Sequence, residues 1–466
     1  MRILLVYPSW LGSQGTVLKY RKAAIPPLAL AVLDALTPSN HDVRVVNDIV
    51  EEIDFSERYD LVAITAMTVQ APRAYQIADA FRSRNVPVVI GGMHATALPE
   101  EAKQHADAVV IGEAEDVWPE LLADCEKKAL QPYYHDPTLP DLSKLVIPRW
   151  NHMNMGIYLK APGVALTRMP IFATRGCPLG CSFCSVTKFY GKAYRTKPVA
   201  HVLRELDAVN TTEFFFVDDN IGLNPDYARE LFRALAARKR ISWFGQIGTQ
   251  VLRTPDLIEL AGKAGCAYMF VGAESLNAAS LAGVNKRFGQ EDHCQELIER
   301  LKHAGIVPFL SFIFGFDEDS PDQFDLTLRF LRRNRVGYAI FWLLTPFPGT
   351  DLFASIKGQG RLLTEDWSLY DATHVVFETR NFGKAELVDR YWHMYRQVYT
   401  LPNVFRSACY NVACSPTPVK EVFGSVWDLL YKRVRVRSLE SPFSAGIGLI
   451  NREPRVQGKS RSDFKF

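Results

Sequence analysis

Short apolar runs alternate with helical stretches along most of this chain, and that alternation restricts the fold more than any other feature. Ile3–Tyr7, Val43–Val46, Leu61–Thr65, Val86–Ile90 and Ala108–Ile111 have strand length. Ile25–Leu36, Pro72–Arg84 and Glu115–Lys128 between them carry helical periodicity. Strands that alternate with helices imply a parallel sheet with right-handed crossovers. Residues 1–130 are therefore read as a doubly wound, Rossmann-like α/β domain. Its ligand rim is formed by the loops after Tyr7, Thr65, Ile90 and Ile111, at the carboxyl ends of the strands. Residues 131–169 hold Pro132, Pro137, Pro140, Pro148 and Pro162 and lose all periodicity, so they are read as a linker. Residues 170–358 repeat strand then helix six times. The strands expected there are Ile171–Thr174, Glu213–Val217, Ile241–Ile247, Tyr268–Val271, Pro308–Phe314 and Tyr338–Leu344. Six such units close only part of a barrel and leave a lateral gap, with chemistry expected at the C-terminal strand ends. Residues 359–466 read as a mainly helical region, with helices over Lys384–Tyr399 and Val419–Tyr431 and a basic, disordered tail beyond Ser438.

Composition narrows the function classes. At ~150 residues per domain, 466 residues give about three units. Net charge is only +3, and the last sixteen residues hold five Lys/Arg against two Asp/Glu, so the body is close to neutral. A nucleic-acid partner is not expected, because it needs a clustered basic face. The opening apolar run is too short for a signal peptide, and no stretch reaches the ~20 apolar residues of a membrane span. Of the eight cysteines, three cluster and the rest are scattered, which points to free thiols and a reducing cytoplasm.

The clustered cysteines carry the chemistry. Thr174-Arg175-Gly176-Cys177-Pro178-Leu179-Gly180-Cys181-Ser182-Phe183-Cys184 follows the first barrel strand. Three thiolates on one tight loop can bind three irons of a [4Fe–4S] cubane and leave the fourth iron open to substrate. A structural zinc site fits less well, because no second Cys pair follows at zinc-ribbon spacing.

Cys177-x3-Cys181-x2-Cys184 after the first strand of a partial barrel resembles the signature of radical S-adenosylmethionine enzymes. The N-terminal domain resembles the cobalamin-binding domain that precedes the barrel in one large subgroup, through Gly91-Gly92-Met93-His94 and Ile111-Gly112-Glu113-Ala114-Glu115. The resemblance implies a cluster that cleaves S-adenosylmethionine to a 5′-deoxyadenosyl radical. It implies hydrogen abstraction from an unactivated carbon and delivery of a methyl group from methylcobalamin. A reductant such as flavodoxin or ferredoxin would supply the electron. The substrate would be a small molecule: a natural product, a lipid or a tetrapyrrole. Oxidative cyclisation or rearrangement without methyl transfer is the second enzymatic reading. A non-catalytic iron–sulfur carrier or sensor is a third, from another class.

By the same resemblance, Cys177, Cys181 and Cys184 are the catalytic cluster ligands and Phe183 packs on the adenine. Gly272-Ala273-Glu274-Ser275 would hold the methionine amino group, Gln246 the ribose or carboxylate, and Ser311 the adenine. Thr65, Gly91, Gly92 and His94 are the expected cobalamin contacts. The histidine that ligates cobalt in many cobalamin proteins is absent from the loop Ser9–Gly15. Plainer readings stand beside these. Glu274 could only pair with a nearby Arg, Gln246 could satisfy backbone groups, His94 could be a core or capping histidine, and Asp218 and Asp219 could cap the following helix.

Overall fold

The computed structural model describes residues 1–12, 15–158, 168–238, 240–286, 291–414, 418–438, 441–442 and 446–450. The tail expected to be disordered lies, beyond Ile450, outside them. Seven strands fall in the first third: β1 (Arg2–Tyr7), β2 (Tyr20–Ala23), β3 (Asp42–Asn47), β4 (Leu61–Thr65), β5 (Val88–Gly91), β6 (Ala108–Ile111) and β7 (Tyr133–His135). Six of them form one parallel sheet in the order β3-β1-β4-β5-β6-β7. Both faces are buried, which is why these strands read as continuous apolar runs. Ile3, Leu5, Val43, Leu61 and Ala63 pack under the helices Leu28–Leu36 and Trp118–Glu126. Leu4, Val6, Val62, Ile64 and Ile90 pack under Ala71–Arg82.

The sheet runs past residue 130. β7 lies inside the expected linker and pairs in parallel with β6. Three residues between Pro132 and Pro137 are too few to show a period, so only pairing reveals the strand. The rest of that segment also packs on the first domain: Met153 and Tyr158 are buried in its core, and Asn47 Nδ2 donates to the Tyr158 hydroxyl at 3.1 Å. Two short helices, Met93–Ala97 and Pro99–His105, fill the β5–β6 crossover.

The second unit contains β8 (Met169–Ile171), β9 (Thr174–Arg175), β10 (Arg195–Thr196), β11 (Glu213–Phe216), β12 (Ser242–Ile247), β13 (Cys266–Glu274), β14 (Val307–Phe314) and β15 (Tyr338–Leu343). Its parallel sheet has the order β15-β14-β13-β12-β11-β8, so β8 and β15 are its edges and the barrel stays open. The run expected as one strand over Ile171–Thr174 is divided. The Ala173 amide donates to the Asp218 carboxylate at 3.1 Å instead of to a ladder, and the chain leaves the sheet to form the hairpin β9–β10.

Helices Lys384–Val398, Leu401–Cys414 and Pro418–Arg437 follow. The chain then returns to the first domain, where β16 (Gly446–Leu449) pairs antiparallel with β2. Among the described residues no helix is long and apolar enough to cross a membrane.

Candidate active site

The cysteine loop hangs between the two strands of the β9–β10 hairpin. It is closed by two local bonds, Cys184 N to Cys181 O at 3.1 Å and Thr187 Oγ1 to Cys177 O at 3.3 Å, and by one from the barrel, Asn285 Nδ2 to Gly180 O at 3.0 Å. Gly176 is required where it stands. Its φ is +89°, and a Cβ there would sit 2.1 Å from the Ala193 carbonyl oxygen. Cys177, Cys181 and Cys184 are free thiols, each half-buried. Burial raises all three above the ordinary thiol range, Cys184 to about 12. Among the described residues no three His, Cys, Asp or Glu converge on a single ion position.

The barrel interior is aromatic low down and polar at the rim. Phe215 stacks on Phe244 at 4.7 Å, and Phe270 meets Phe309 edge-on at 5.2 Å. Above this floor β13 ends in a bulge against β14, and Glu274 adopts φ +62°, a left-handed conformation unusual for a side chain that large. Ser311 Oγ donates to Glu274 Oε2 at 3.2 Å, and Trp342 Nε1 donates to Ser311 Oγ at 3.2 Å. The partner of Glu274 is Lys286 rather than an arginine. Its Nζ lies 2.8 Å from Glu274 Oε1 and donates to the Gly272 carbonyl at 2.7 Å. Sequence reasoning missed Lys286, which follows a short helix in a stretch without periodicity.

Gly272, Glu274 and Ser311 are thus brought together, with Gln246 half-buried on β12 two positions beyond Phe244. Phe183 meets Phe316 edge-on at 6.4 Å beside the same rim. Ala273 and Ser275 are not part of that group. Ala273 is fully buried in the core, and Ser275 Oγ accepts from the Asn277 amide at 3.1 Å. Asp218 does not cap the following helix; that is done by Asn224, whose side chain accepts from Tyr227 N. Asp218 instead accepts from Ala173 N and from Thr174 Oγ1 at 2.6 Å, pinning the start of the cysteine hairpin. Burial lifts its carboxyl to about 6, and burial with the neighbouring Asp218 charge lifts Asp219 to about 7.

Between the domains lies a cavity of about 1080 Å³, counted to its open mouth. The first domain contributes Thr65, Gly91, Gly92 and the loop Gly112–Glu115, with Trp118 and Leu33 deeper in. The barrel contributes Phe172, Arg175, Tyr190 and Asp219. Gly92 allows the close approach: a Cβ there would lie 2.9 Å from both backbone polar atoms of Ala66, at φ +95°. His94 does not line the cavity. Its buried ring sits with Nε2 3.0 Å from the Tyr75 hydroxyl and 3.2 Å from Glu101 Oε1, and Trp367 Nε1 donates to the same Glu101 oxygen at 2.9 Å. The lining contains no histidine.

An open parallel barrel with a three-thiol loop at its rim, roofed by a doubly wound domain across a large cavity, defines a class: a metalloenzyme built for an iron–sulfur cluster beside a second bulky cofactor. A family model described as the Radical SAM superfamily matches residues 171–331, and one described as the B12 binding domain matches residues 16–122. Bacteriochlorophyllide d C-12(1)-methyltransferase of Chlorobaculum tepidum is 35% identical over 405 residues, covering 85% of this chain and 87% of its own length. Bacteriochlorophyllide d C-8(2)-methyltransferase of the same organism is 31% identical over 400 residues, covering 82% and 88%. The solved structure of the cobalamin-dependent S-adenosylmethionine radical enzyme OxsB with aqua-cobalamin bound shares the fold. Its TM-score is 0.65 at 13% identity, over 95% of this chain and 74% of that one. The chain belongs to the radical SAM superfamily, in the group whose barrel follows a B12 binding domain. It is an enzyme that uses a [4Fe–4S] cluster, S-adenosylmethionine and cobalamin. The residues present fit these groups: three free thiols on a glycine-tightened loop, and an open cavity between the domains where Gly92 leaves space that a Cβ would fill.

Proposed function

We propose that this enzyme methylates an unactivated carbon of a large, apolar small molecule, with a chlorophyllide-like tetrapyrrole as the substrate class. The observation that carries the reading is the shared wall. Arg175, Tyr190 and Asp219 line the interdomain cavity and belong to the elements that hold the cysteine loop, so both cofactors would face one reaction space. Two relatives above 30% identity are named for methyl transfer to bacteriochlorophyllide, which favours methylation over cyclisation.

When bound, the cluster with S-adenosylmethionine supplies one-electron cleavage and hydrogen abstraction, and cobalamin supplies the methyl group. The chain's part is to bind, orient and exclude water. Cys177, Cys181 and Cys184 would hold three irons and leave the fourth to the nucleotide. Glu274, steadied by Ser311 and facing Lys286, would take the cationic amino group of the methionine moiety. Phe183 would pack on the adenine, and Gln246 would meet the ribose or carboxylate. Thr65, Gly91 and Gly92 would border the corrin. The aromatic floor keeps water out from below. A small flavin or iron–sulfur protein of the reducing cytoplasm would deliver the electron.

The test is anaerobic reconstitution with iron, sulfide and hydroxocobalamin, followed by incubation with reductant, S-adenosylmethionine and a bacteriochlorophyllide. The expected result is a product one carbon heavier, with both 5′-deoxyadenosine and S-adenosylhomocysteine formed. Formation of 5′-deoxyadenosine with an unchanged carbon count would sink methyl transfer and leave cyclisation.

A further inference from the structure

The β9–β10 hairpin has an electrostatic oddity. Arg175 and Arg195 are direct cross-strand partners, an arrangement of like charges that repels. The balancing charge comes from the other domain. Glu113 accepts from both guanidinium groups, and Glu115 lies 2.6 Å from Arg175. All four side chains are at least 85% buried, so water does little to screen them. Arg175 is further held over Phe172 at 4.3 Å, and Arg195 donates to the Pro140 carbonyl at 3.0 Å. Glu113 and Glu115 sit on the loop that lines the interdomain cavity, and Arg175 stands two residues before Cys177. The hairpin that carries the cysteine loop is therefore completed by a loop of the B12 binding domain.

We propose that Glu113 is a positioning residue that couples the two cofactor sites, so that corrinoid in the cavity favours the cluster-ready hairpin and the assembled cluster favours corrinoid binding. Without Glu113 only Glu115, on Arg175, is left to balance the two guanidinium groups, and the hairpin splays on the Arg195 side. With the loop Gly112–Glu115 ordered against a ligand, the hairpin closes. Linkage requires the effect to be reciprocal and equal in both directions.

This inference rests on the placement of corrinoid and cluster proposed above. The test uses the full chain and hydroxocobalamin, with affinity read from the optical spectrum of the iron-free and the cluster-loaded protein. In the wild type the cluster-loaded form should bind at least about fivefold more tightly, at the low end of usual coupling. Glu113→Gln and Arg195→Gln should bring that ratio close to one while both cofactors still bind. Arg195→Lys, which keeps the charge, should restore it. Arg195 lies outside the cavity lining, so its variants carry the test even if Glu113→Gln fails to fold. A merely structural role would weaken binding in both states and leave the ratio unchanged. A ratio of one in the wild type, or the wild-type ratio in Arg195→Gln, would overturn the coupling. Failure of hydroxocobalamin to bind the wild type at all would overturn the placement with it.

Discussion

Burial works against the cysteines until iron arrives. A thiol must lose its proton to ligate a metal, and the half-buried loop raises the proton affinity of all three, most strongly at Cys184. With its proton affinity raised this far by burial, Cys184 is almost wholly protonated at pH 8. The thiolate is the reactive form, so alkylation of the cluster-free protein should modify exposed Cys409 before Cys177 and Cys181, and Cys184 after all three. The raised pKa also fixes the sign of the pH dependence. The rate at Cys184 should rise about tenfold per pH unit and keep rising well past pH 9, where an unperturbed thiol levels off. Mass spectrometry after short pulses reads both, and modification of Cys184 as fast as Cys409 would contradict the burial argument. Lys286 shows the limit of residue-level reading. Its contacts with Glu274 and the Gly272 carbonyl follow from a β13–β14 bulge that no local pattern announces.

An open barrel leaves an edge strand, and here side chains cover it. The Tyr395 hydroxyl donates to the Phe341 carbonyl and accepts from the Phe341 amide, both at 2.9 Å, while Tyr399 donates to the Ala339 carbonyl at 3.1 Å. Two tyrosines from Lys384–Val398 and the residue after it thus satisfy groups of β15 that have no seventh barrel strand to meet. Tyr395→Phe would leave a buried amide and carbonyl unpaired, at a cost of about 2 kcal/mol. Hydrogen exchange at the Phe341 amide should then accelerate about thirtyfold. An unchanged rate would mean that the edge is protected by some other group. The main strands of both sheets are legible in the sequence because most are largely apolar runs of four or more residues with buried centres. The elements that escape such reading are short. β7, β9 and β10 hold two or three residues each, and they exist because a neighbour accepts their hydrogen bonds. The same holds for the site. Cys177, Cys181 and Cys184 announce themselves by spacing, whereas the partners of Glu113 lie 62 and 82 positions away and are visible only in three dimensions.

At the scale of the molecule, the B12 binding domain is tied to the barrel unit on more than one side of the cavity. One tie is the arginine–glutamate group at the cysteine hairpin, and another is Glu101 with Trp367 across from His94. The third is the returning chain. β16 pairs with β2, the Ile450 amide donates to the Lys19 carbonyl at 2.8 Å, and Leu449 packs with Trp10, Tyr20 and Ile49. Arg435, buried at the end of the last long helix, donates to the Gly446 carbonyl at 3.0 Å and so joins that strap to the helices behind the barrel. A cavity walled by two domains is only as well formed as their docking, because both domains contribute to its lining. A chain ending at Ser438 should therefore keep its cluster loop, whose bonds are local or come from the hairpin and the barrel, and bind iron as the full chain does. It should lose hydroxocobalamin affinity by about tenfold, equivalent to about 1.4 kcal/mol of docking energy. Iron content and an optical cobalamin titration on the same preparation separate the two effects. Equal loss of iron would point to general unfolding, and unchanged affinity would mean that the strap does not hold the domains together.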